Sequence, residues 1–222
     1  MSTPTGTSRT KRIAWTVASL IALIVLAFNV EAIARLRHQV FPKRFGIVEP
    51  GKIYRSGQLS ARLVRHVLEE NHIAVVVDLT ADAPPDPSEC RDEAAEKSAL
   101  ADLGIERRQH ILLSDGTGDV TVYAAAVKSV VEAERAGSPV LIHCAAGTQR
   151  TGGVVALYRL LVQGRPSAEV YREMQAYKYS ARYSPRLLEY LNDNMAALAN
   201  ELVRNGAIER VPDQLPVLRG EG

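Results

Sequence analysis

The sequence has few cysteines, few aromatic residues and almost no net charge. Its two cysteines, Cys90 and Cys144, are too few for a disulfide framework or a cysteine zinc site. Aromatic residues make up only 5% of the chain, and 27 basic residues stand against 25 acidic ones, so no basic surface with interleaved aromatics indicates a nucleic-acid partner. We see no internal repeat and no low-complexity tract. The 222 residues therefore predict one compact α/β domain with extra segments.

A long uncharged run occurs near the N-terminus. Residues 13–30 read IAWTVASLIALIVLAFNV, and as a helix they would span roughly 27 Å, close to the ~30 Å hydrocarbon core of a bilayer. We therefore predict a single-pass membrane anchor at 13–34. A cleaved signal peptide is the alternative, because Ala32-Ile33-Ala34 has the small-x-small form of a cleavage site. Both interpretations export the domain that follows, although the basic flanks nearly cancel under the positive-inside rule.

The rest of the chain shows strand patterns that alternate with helix patterns. We predict a basic tail at 1–12, a connector at 35–45, a folded domain at 46–205 and a C-terminal tail at 206–222 that frays from Val211. Apolar, β-branched runs predict strands at 52–58, 73–79, 105–113 and 139–143. Periodic segments predict helices at 60–70, 88–102, 120–136, 150–163, 167–177 and 185–204. This order predicts a mostly parallel sheet flanked by helices on both faces.

The most informative segment is VLIHCAAGTQRTG at 140–152. A buried strand ends at Cys144, five uncharged residues follow, and a helix begins at Arg150. Such a turn points the loop N–H groups and the positive end of the helix dipole at one spot, which suits an oxyanion. The same field favours a thiolate, so we predict Cys144 as a nucleophile. The planar guanidinium of Arg150 is suited to grip two oxygens of a phosphate.

Other residues of the segment have supporting roles in this hypothesis. We expect Thr151 to hydrogen-bond the sulfur through its hydroxyl, and His143 to orient the loop rather than to act as a base. Gly147 suits a loop whose backbone must turn and approach the anion closely. The residues predicted to bind phosphate are Ala145, Ala146, Gly147, Thr148, Gln149 and Arg150.

The string His143-Cys144-(five residues)-Arg150-Thr151-Gly152 resembles the signature of the protein-tyrosine and dual-specificity phosphatases. A second stretch, YRSGQ at 54–58, is similar to one common in bacterial tyrosine-phosphatase-like proteins, many of them membrane-anchored. The resemblance covers about 46–195. It implies the cysteine-phosphatase fold and the hydrolysis of phosphomonoesters through a phospho-cysteine, with no metal and no cofactor.

Such enzymes also use an aspartate on a mobile loop as general acid and then as general base. In the dual-specificity members it lies about thirty residues before the cysteine, and here Asp115 lies 29 residues before Cys144. Asp119 immediately precedes an apolar helical run, so we predict that it is a helix N-cap. We therefore assign the acid to Asp115 and expect Asp78, inside a strand, to be structural.

The loop also bears on the substrate. Relatives that act on lipid or inositol phosphates tend to carry lysines in the loop, whereas residues 145–149 have no charge. We therefore expect phosphotyrosine, in a phosphorylated protein, or another phosphomonoester as the substrate. Three alternatives stay open: a catalytically inactive phosphate-binding module, a lipid or inositol phosphatase, and a sulfur transferase.

Overall fold

A computed structural model describes residues 13–17, 19–20, 37–81 and 87–219 of the chain. The chain divides into two units, Met1–Phe41 and Pro42–Gly222. In the first unit the described residues at 13–17, 19–20 and 37–40 are helical, and most of the uncharged run at 13–30 lies outside the described residues. No described helix is long and apolar enough to cross a membrane. The membrane anchor therefore stays a prediction.

The apolar runs of the second unit form a five-stranded sheet. The strands are β1 (Gly46–Glu49), β2 (Ile53–Gly57), β3 (Val75–Asp78), β4 (Glu106–Gln109) and β5 (Val140–Cys144), in the spatial order β1-β2-β5-β3-β4. Strand β1 is antiparallel to β2, and all other neighbours are parallel. The mostly parallel sheet is thus confirmed. The sequence pattern missed β1 because its four residues are only partly buried and carry no sustained alternation.

In the described residues of the second unit, seven α-helices connect and follow the strands. They are α1 (Val64–Glu70), α2 (Pro87–Leu103), α3 (Val120–Arg135), α4 (Gln149–Leu157), α5 (Ser167–Ala176), α6 (Pro185–Asp193) and α7 (Met195–Arg204), and a π-helix at Tyr158–Val162 continues α4. The single helix predicted at 185–204 is in fact two, because the chain leaves helical geometry at Asn194.

Helices cover both faces of the sheet, as predicted. Successive strand side chains point to opposite faces, so Val76 and Leu141 belong to one apolar cluster and Val77 and Ile142 to another. The first cluster includes residues of α1 and α2, and the second includes residues of α3 to α7. With both faces covered, the loops at the carboxyl ends of the parallel strands are left to form a binding site.

The C-terminal tail packs against the helices, which corrects the expectation that it frays from Val211. Leu218 is 1% exposed and belongs to the larger apolar cluster. Its backbone N–H and C=O each form a hydrogen bond of 2.8 Å with the side chain of Asn192. One buried side chain and two such bonds hold the segment in place, and the Pro-rich sequence gave no sign of them.

Candidate active site

The sulfur of Cys144 lies at the carboxyl end of β5, where the strand turns into α4. The residue is 1% exposed. Strand β2 runs beside β5 in parallel and pairs Gly57 with Cys144, so the ends of two strands meet at the sulfur. The predicted strand, cysteine, loop and helix therefore follow one another as the sequence indicates.

The loop backbone turns back on the sulfur at Gly147. The Gly147 N–H donates a hydrogen bond to Sγ of Cys144 over 3.1 Å. Its φ of +77° lies in the left-handed region, and a Cβ there would stand 2.5 Å from the nitrogen of Gly57. Only glycine fits this position without displacing β2.

The side chains of Thr148 and Gln149 contact the segment that leads into α6. The Thr148 hydroxyl lies 3.4 Å from the carbonyl oxygen of Tyr177, and Nε2 of Gln149 lies 3.2 Å from Oγ of Ser184. These contacts occupy the side chains of both residues, so their predicted part in phosphate binding, which stays a prediction, would fall to their backbone N–H groups. Ala145 and Ala146 have no polar side chain and contribute backbone alone.

Arg150 lies in the first turn of α4 and reaches across to Leu79, the residue that follows β3. Its Nη1 donates to the carbonyl oxygen of Leu79 over 3.3 Å. The Thr151 hydroxyl, buried beside the sulfur, has a long contact of 3.5 Å with the Ser56 carbonyl oxygen. Both side chains therefore lie at the carboxyl edge of the sheet with Cys144.

These neighbours change the acidity of the thiol. Burial is the largest single influence on the pKa of Cys144 and raises it, whereas the positive charge of Arg150 lowers it. Hydrogen bonds from Thr151 and Gly147 also favour the charged sulfur, and the net pKa lies below its ordinary value. The surroundings of Cys144 therefore favour the thiolate form of its side chain.

His143 is buried under the loop with two carboxylates. Its Nε2 lies 3.1 Å from Glu96 Oε1 and 3.8 Å from Asp78 Oδ1. Burial lowers the pKa of His143, but the two carboxylates outweigh burial and raise it to about 9. Asp78 also accepts hydrogen bonds from Thr80 and Arg107. The histidine is therefore a cation at neutral pH, held between two carboxylates, and the orienting role predicted for it stays a prediction.

The same three side chains have the spacing of a metal site. The nearest ligand atoms of Asp78, Glu96 and His143 all lie within 4.8 Å of one another. The positive charges of His143 and Arg107 balance the two carboxylates. The cluster is therefore an ion-pair network in its own right.

The two aspartates before α3 lie in different settings. Asp119 is the N-cap of α3 and accepts hydrogen bonds from the backbone N–H groups of Thr121 and Val122, as predicted. Asp115 lies in the preceding loop, with its side chain 31% exposed. Its Oδ1 accepts hydrogen bonds from the N–H and hydroxyl of Thr117, and these bonds lower the pKa of the carboxyl.

The Asp115 loop is tied to the core by Tyr123 of α3. This tyrosine is fully buried, and its hydroxyl donates a hydrogen bond of 2.7 Å to the carbonyl oxygen of Gly116. The pKa of Tyr123 is raised by burial and then by the negative charges of other residues, Cys144 and Asp115 among them. Tyr123 therefore lies between the thiol and the loop of the proposed acid.

Comparison with known proteins identifies the family. Residues 41–211 match the model of the tyrosine phosphatase family. The chain belongs to the tyrosine phosphatase family. As a member, this phosphatase is a phosphoric monoester hydrolase, which confirms the predicted enzyme class. Comparison with curated protein sequences found no significant match.

Solved structures share the fold of the phosphatase. TpbA of P. aeruginosa is 22% identical with a TM-score of 0.55, over 73% of this chain and 98% of that one. The core catalytic domain of the PP-IP phosphatase SIW14 of S. cerevisiae is 21% identical with a TM-score of 0.56, over 75% and 95% of the two chains. PTPMT1 is 19% identical with a TM-score of 0.54, over 73% and 98%.

Several residues around the phosphatase site were not found from the sequence. Glu96 lies in an Ala/Glu-rich helix, where a buried glutamate has no distinct pattern. Tyr123 reads as an ordinary core aromatic. Arg44 fell within the predicted connector at 35–45, yet its guanidinium contacts the loop at Ala146. Arg55 was part of the YRSGQ stretch, and an arginine inside an otherwise apolar strand was the one available signal.

Proposed function

We propose that the phosphatase hydrolyses phosphomonoesters of the phosphotyrosine type through a phospho-cysteine on Cys144. The observation that carries the proposal is the buried sulfur at the start of α4, which accepts a hydrogen bond from Gly147 N–H and has its pKa lowered by Arg150. A thiolate in this position can attack phosphorus in line with the departing oxygen.

The chemical steps use Cys144, Arg150 and Asp115. The thiolate attacks phosphorus, the P–S bond forms as the P–O bond breaks, and protonated Asp115 gives its proton to the leaving oxygen. Water then attacks the phospho-cysteine, Asp115 takes the proton of that water, and the P–S bond breaks to release inorganic phosphate and the thiolate. Arg150 and the backbone N–H groups of 145–149 hold the phosphoryl oxygens throughout.

The proposed preference for phosphotyrosine depends on the uncharged loop at 145–149. The fold relatives do not point to one substrate, since TpbA has been crystallised with pTyr and PTPMT1 with PI(5)P. A lipid or inositol phosphate is therefore the second candidate. Its support is a group of basic side chains in the segments beside the loop, namely Arg44, Lys178, Arg182 and Arg186.

A substrate panel tests the proposal. The phosphatase should release phosphate in EDTA from p-nitrophenyl phosphate and a phosphotyrosine peptide, faster than from a phosphoserine peptide, PI(5)P or an inositol pyrophosphate. Cys144→Ser should abolish turnover and leave the fold intact, because a serine hydroxyl offers no thiolate. Turnover retained by this variant would disprove the covalent mechanism. Sulfur transfer from thiosulfate to cyanide, run in parallel, would reveal a sulfur transferase.

We also propose that residues 13–34 anchor the protein in a membrane, with the catalytic domain on the exported side. The support is the uncharged run at 13–30 after a basic start. Wild-type protein should stay in the membrane fraction after carbonate extraction, and a chain lacking 1–34 should not. A C-terminal reporter fusion gives the side, and N-terminal sequencing of the mature protein would reveal cleavage after Ala34.

A further inference from the structure

The phosphate-binding loop is held from outside by three donors. The carbonyl oxygens of residues 145, 146 and 147 each accept a hydrogen bond from a neighbouring segment. The donors are the Gln58 N–H at 3.2 Å, Nη1 of Arg44 at 2.7 Å and Nη2 of Arg55 at 2.9 Å, in that order. Three consecutive peptide groups are therefore fixed by residues outside the signature.

Fixing a carbonyl also fixes the direction of the next N–H. A trans peptide is planar, so its C=O and N–H point in opposite directions, and the described chain contains no cis peptide bond. When the three carbonyls point out to their donors, the N–H groups of Ala146, Gly147 and Thr148 point the other way. The hydrogen bond from the Gly147 N–H to the Cys144 sulfur marks that direction as the side of the nucleophile.

Arg55 is an unusual donor for this purpose because it is buried as a cation. It is 1% exposed and one of the largest fully buried side chains of the phosphatase. Its guanidinium stacks on the ring of Tyr177, 3.8 Å from the centroid. Within the described part of the chain it makes no ion pair with a carboxylate, and its Nε and Nη1 have no hydrogen-bond partner.

The positive charge of Arg55 is kept at neutral pH. Burial lowers its pKa, but only to about 10. Tyr177, the Glu173 carboxylate and then the charge of Cys144 raise this pKa, so the cation and a thiolate also stabilise each other. A buried cation without a bonded carboxylate is costly, and a thiolate or a bound phosphoryl group supplies the missing negative charge.

The backbone at Arg44 is a second observation that residues outside the signature hold the phosphate-binding loop. Its φ of +49° lies in the left-handed region, which is uncommon for a residue other than glycine. Next to it, the carbonyl oxygen of Lys43 accepts a hydrogen bond of 2.6 Å from the Gly57 N–H at the end of β2. The segment at 43–44 is thus bound both to β2 and to the loop.

We propose that Arg55 is a positioning residue for the phosphate site, with Arg44 as its partner on the adjacent carbonyl. Arg55 holds the loop so that its N–H groups converge on the phosphoryl oxygens, and its charge stabilises the bound anion and the thiolate. This inference rests on the proposed function of the loop as a phosphate site. It gives the YRSGQ stretch a physical role, because Arg55 and Gln58 each hold one carbonyl of the loop.

Anion affinity and thiol acidity test the proposal without turnover. We would use a Cys90→Ser background, so that Cys144 is the one reactive thiol, and measure the rate of iodoacetamide alkylation against pH. Protection by inorganic phosphate then gives its Kd. Arg55→Met should weaken phosphate binding at least 10-fold and shift the alkylation profile to higher pH. Arg55→Lys, which keeps the charge but loses the planar fork, should fall between.

A matched control separates positioning from general stability. Arg135 also donates to two backbone carbonyls, those of Gly206 and Ala207, but at the C-terminal segment. Arg135→Met should lower the melting temperature and leave the phosphate Kd and the alkylation profile unchanged. If a folded Arg55→Met variant keeps both wild-type values, the proposal is wrong.

The proposal can still be tested if Arg55→Met does not fold. Arg44 is only half-buried, so Arg44→Met should fold even where Arg55→Met does not, and it should weaken phosphate binding about threefold or more. Wild-type phosphate affinity in Arg44→Met and Arg55→Lys together would overturn the proposal. If wild-type protein binds phosphate but fails to turn over p-nitrophenyl phosphate, the proposed function fails while this inference stands.

Discussion

Arg186 Nη1 lies 3.1 Å from Oδ2 of Asp115, so the proposed general acid is held as a carboxylate in an ion pair. The other carboxylate oxygen of Asp115, Oδ1, accepts hydrogen bonds from the N–H and the hydroxyl of Thr117. A carboxylate cannot donate a proton, so Asp115 must exchange these partners for the leaving group during catalysis. The Arg186 side chain is 76% exposed, and an ion pair with so exposed a partner is worth at most about 1 kcal/mol. Breaking the ion pair, so that Asp115 can turn to the leaving group, therefore costs little free energy.

Removing the Thr117 hydroxyl or the Arg186 charge should move the dependence of kcat/KM on pH. Hydrogen bonds from Thr117 lower the pKa of Asp115 most, and the charge of Arg186 lowers it less. The descending limb of kcat/KM against pH reports the loss of the protonated acid. We expect this limb to move to higher pH in Arg186→Gln and further in Thr117→Val. The control is Arg172→Gln, an exposed arginine on α5, which should leave the limb in place. Identical limbs in all four proteins would remove Asp115 from the acid role.

The assignment of the acid itself is tested by a matched pair of aspartates. Asp115→Asn should lower turnover by roughly 10²–10⁴, the usual contribution of a positioned acid. Asp119→Asn should cost little, since asparagine caps α3 about as well as aspartate. The loss in Asp115→Asn should be smallest for aryl phosphates with good leaving groups and largest for alkyl phosphates. A large, leaving-group-dependent loss in Asp119→Asn instead would invert the assignment.

Arg150 offers a test of geometry rather than charge. Arg150→Lys keeps the positive charge that favours the thiolate but loses the two parallel donors of the guanidinium. We expect kcat/KM for p-nitrophenyl phosphate to fall by at least about 100-fold, equal to about 2.7 kcal/mol of transition-state stabilisation. Arg172→Lys, on the exposed face of α5, is the control. Near-native kinetics in Arg150→Lys would place the residue outside the site.

The buried His143 network should make stability depend on pH. The folded pKa of about 9 lies above the ordinary 6.5, so the charged histidine stabilises the fold fully below pH 6.5. This stabilisation is lost as the pH rises through 9, by roughly 3 kcal/mol. Cys144 has a lowered pKa and opposes this trend, so the measurement belongs in a Cys144→Ser background.

Urea unfolding at pH 6 and pH 9 gives the difference. Glu96→Gln removes the closer carboxylate and should reduce the loss of stability between the two pH values, whereas Glu189→Gln, an exposed change on α6, should not. An equal loss in Cys144→Ser and in its Glu96→Gln derivative would show that the His143–Glu96 pair does not control the titration.

The sequence predicted those parts of the site that depend on local chain order. Cys144, the loop and Arg150 follow one another along the chain, and a strand-to-helix turn brings them together without help from distant segments. Glu96, Arg55 and Arg44 reach the loop only because strand order and helix packing place them there. In the printed sequence, a buried glutamate on an Ala/Glu-rich helix looks like any solvated one. The strand β1 and the packed C-terminal segment were missed for the same reason, since both depend on tertiary contacts.

The contact between Gly153 and Tyr123 joins the helix of the signature to the acid loop. A Cβ on Gly153 would lie 2.0 Å from the Tyr123 hydroxyl oxygen, so Gly153→Ala must displace the tyrosine that holds the Gly116 carbonyl. Alanine in a helix is ordinarily about 1 kcal/mol better than glycine. Here we expect the opposite sign, a loss of about 1–3 kcal/mol from overpacking.

A double-mutant cycle with Tyr123→Phe tests whether the tyrosine hydroxyl causes this loss of stability. Without the hydroxyl, the nearest atoms to the new Cβ are ring carbon Cζ at 3.1 Å and Leu187 Cδ1 at 3.2 Å, which small shifts can accommodate. Gly153→Ala should therefore cost at least about 1 kcal/mol less in the Tyr123→Phe background than in wild type, as measured by urea unfolding. Tyr123→Phe alone frees the Gly116 carbonyl, so its turnover should fall more on alkyl than on aryl phosphates. Two results together would disprove this role of Tyr123. The first is that the unfolding free energies of Gly153→Ala and Tyr123→Phe add in the double variant, and the second is that Tyr123→Phe loses equal turnover on alkyl and aryl phosphates. Tyr123 would then neither exclude a side chain at position 153 of α4 nor hold the loop that carries Asp115.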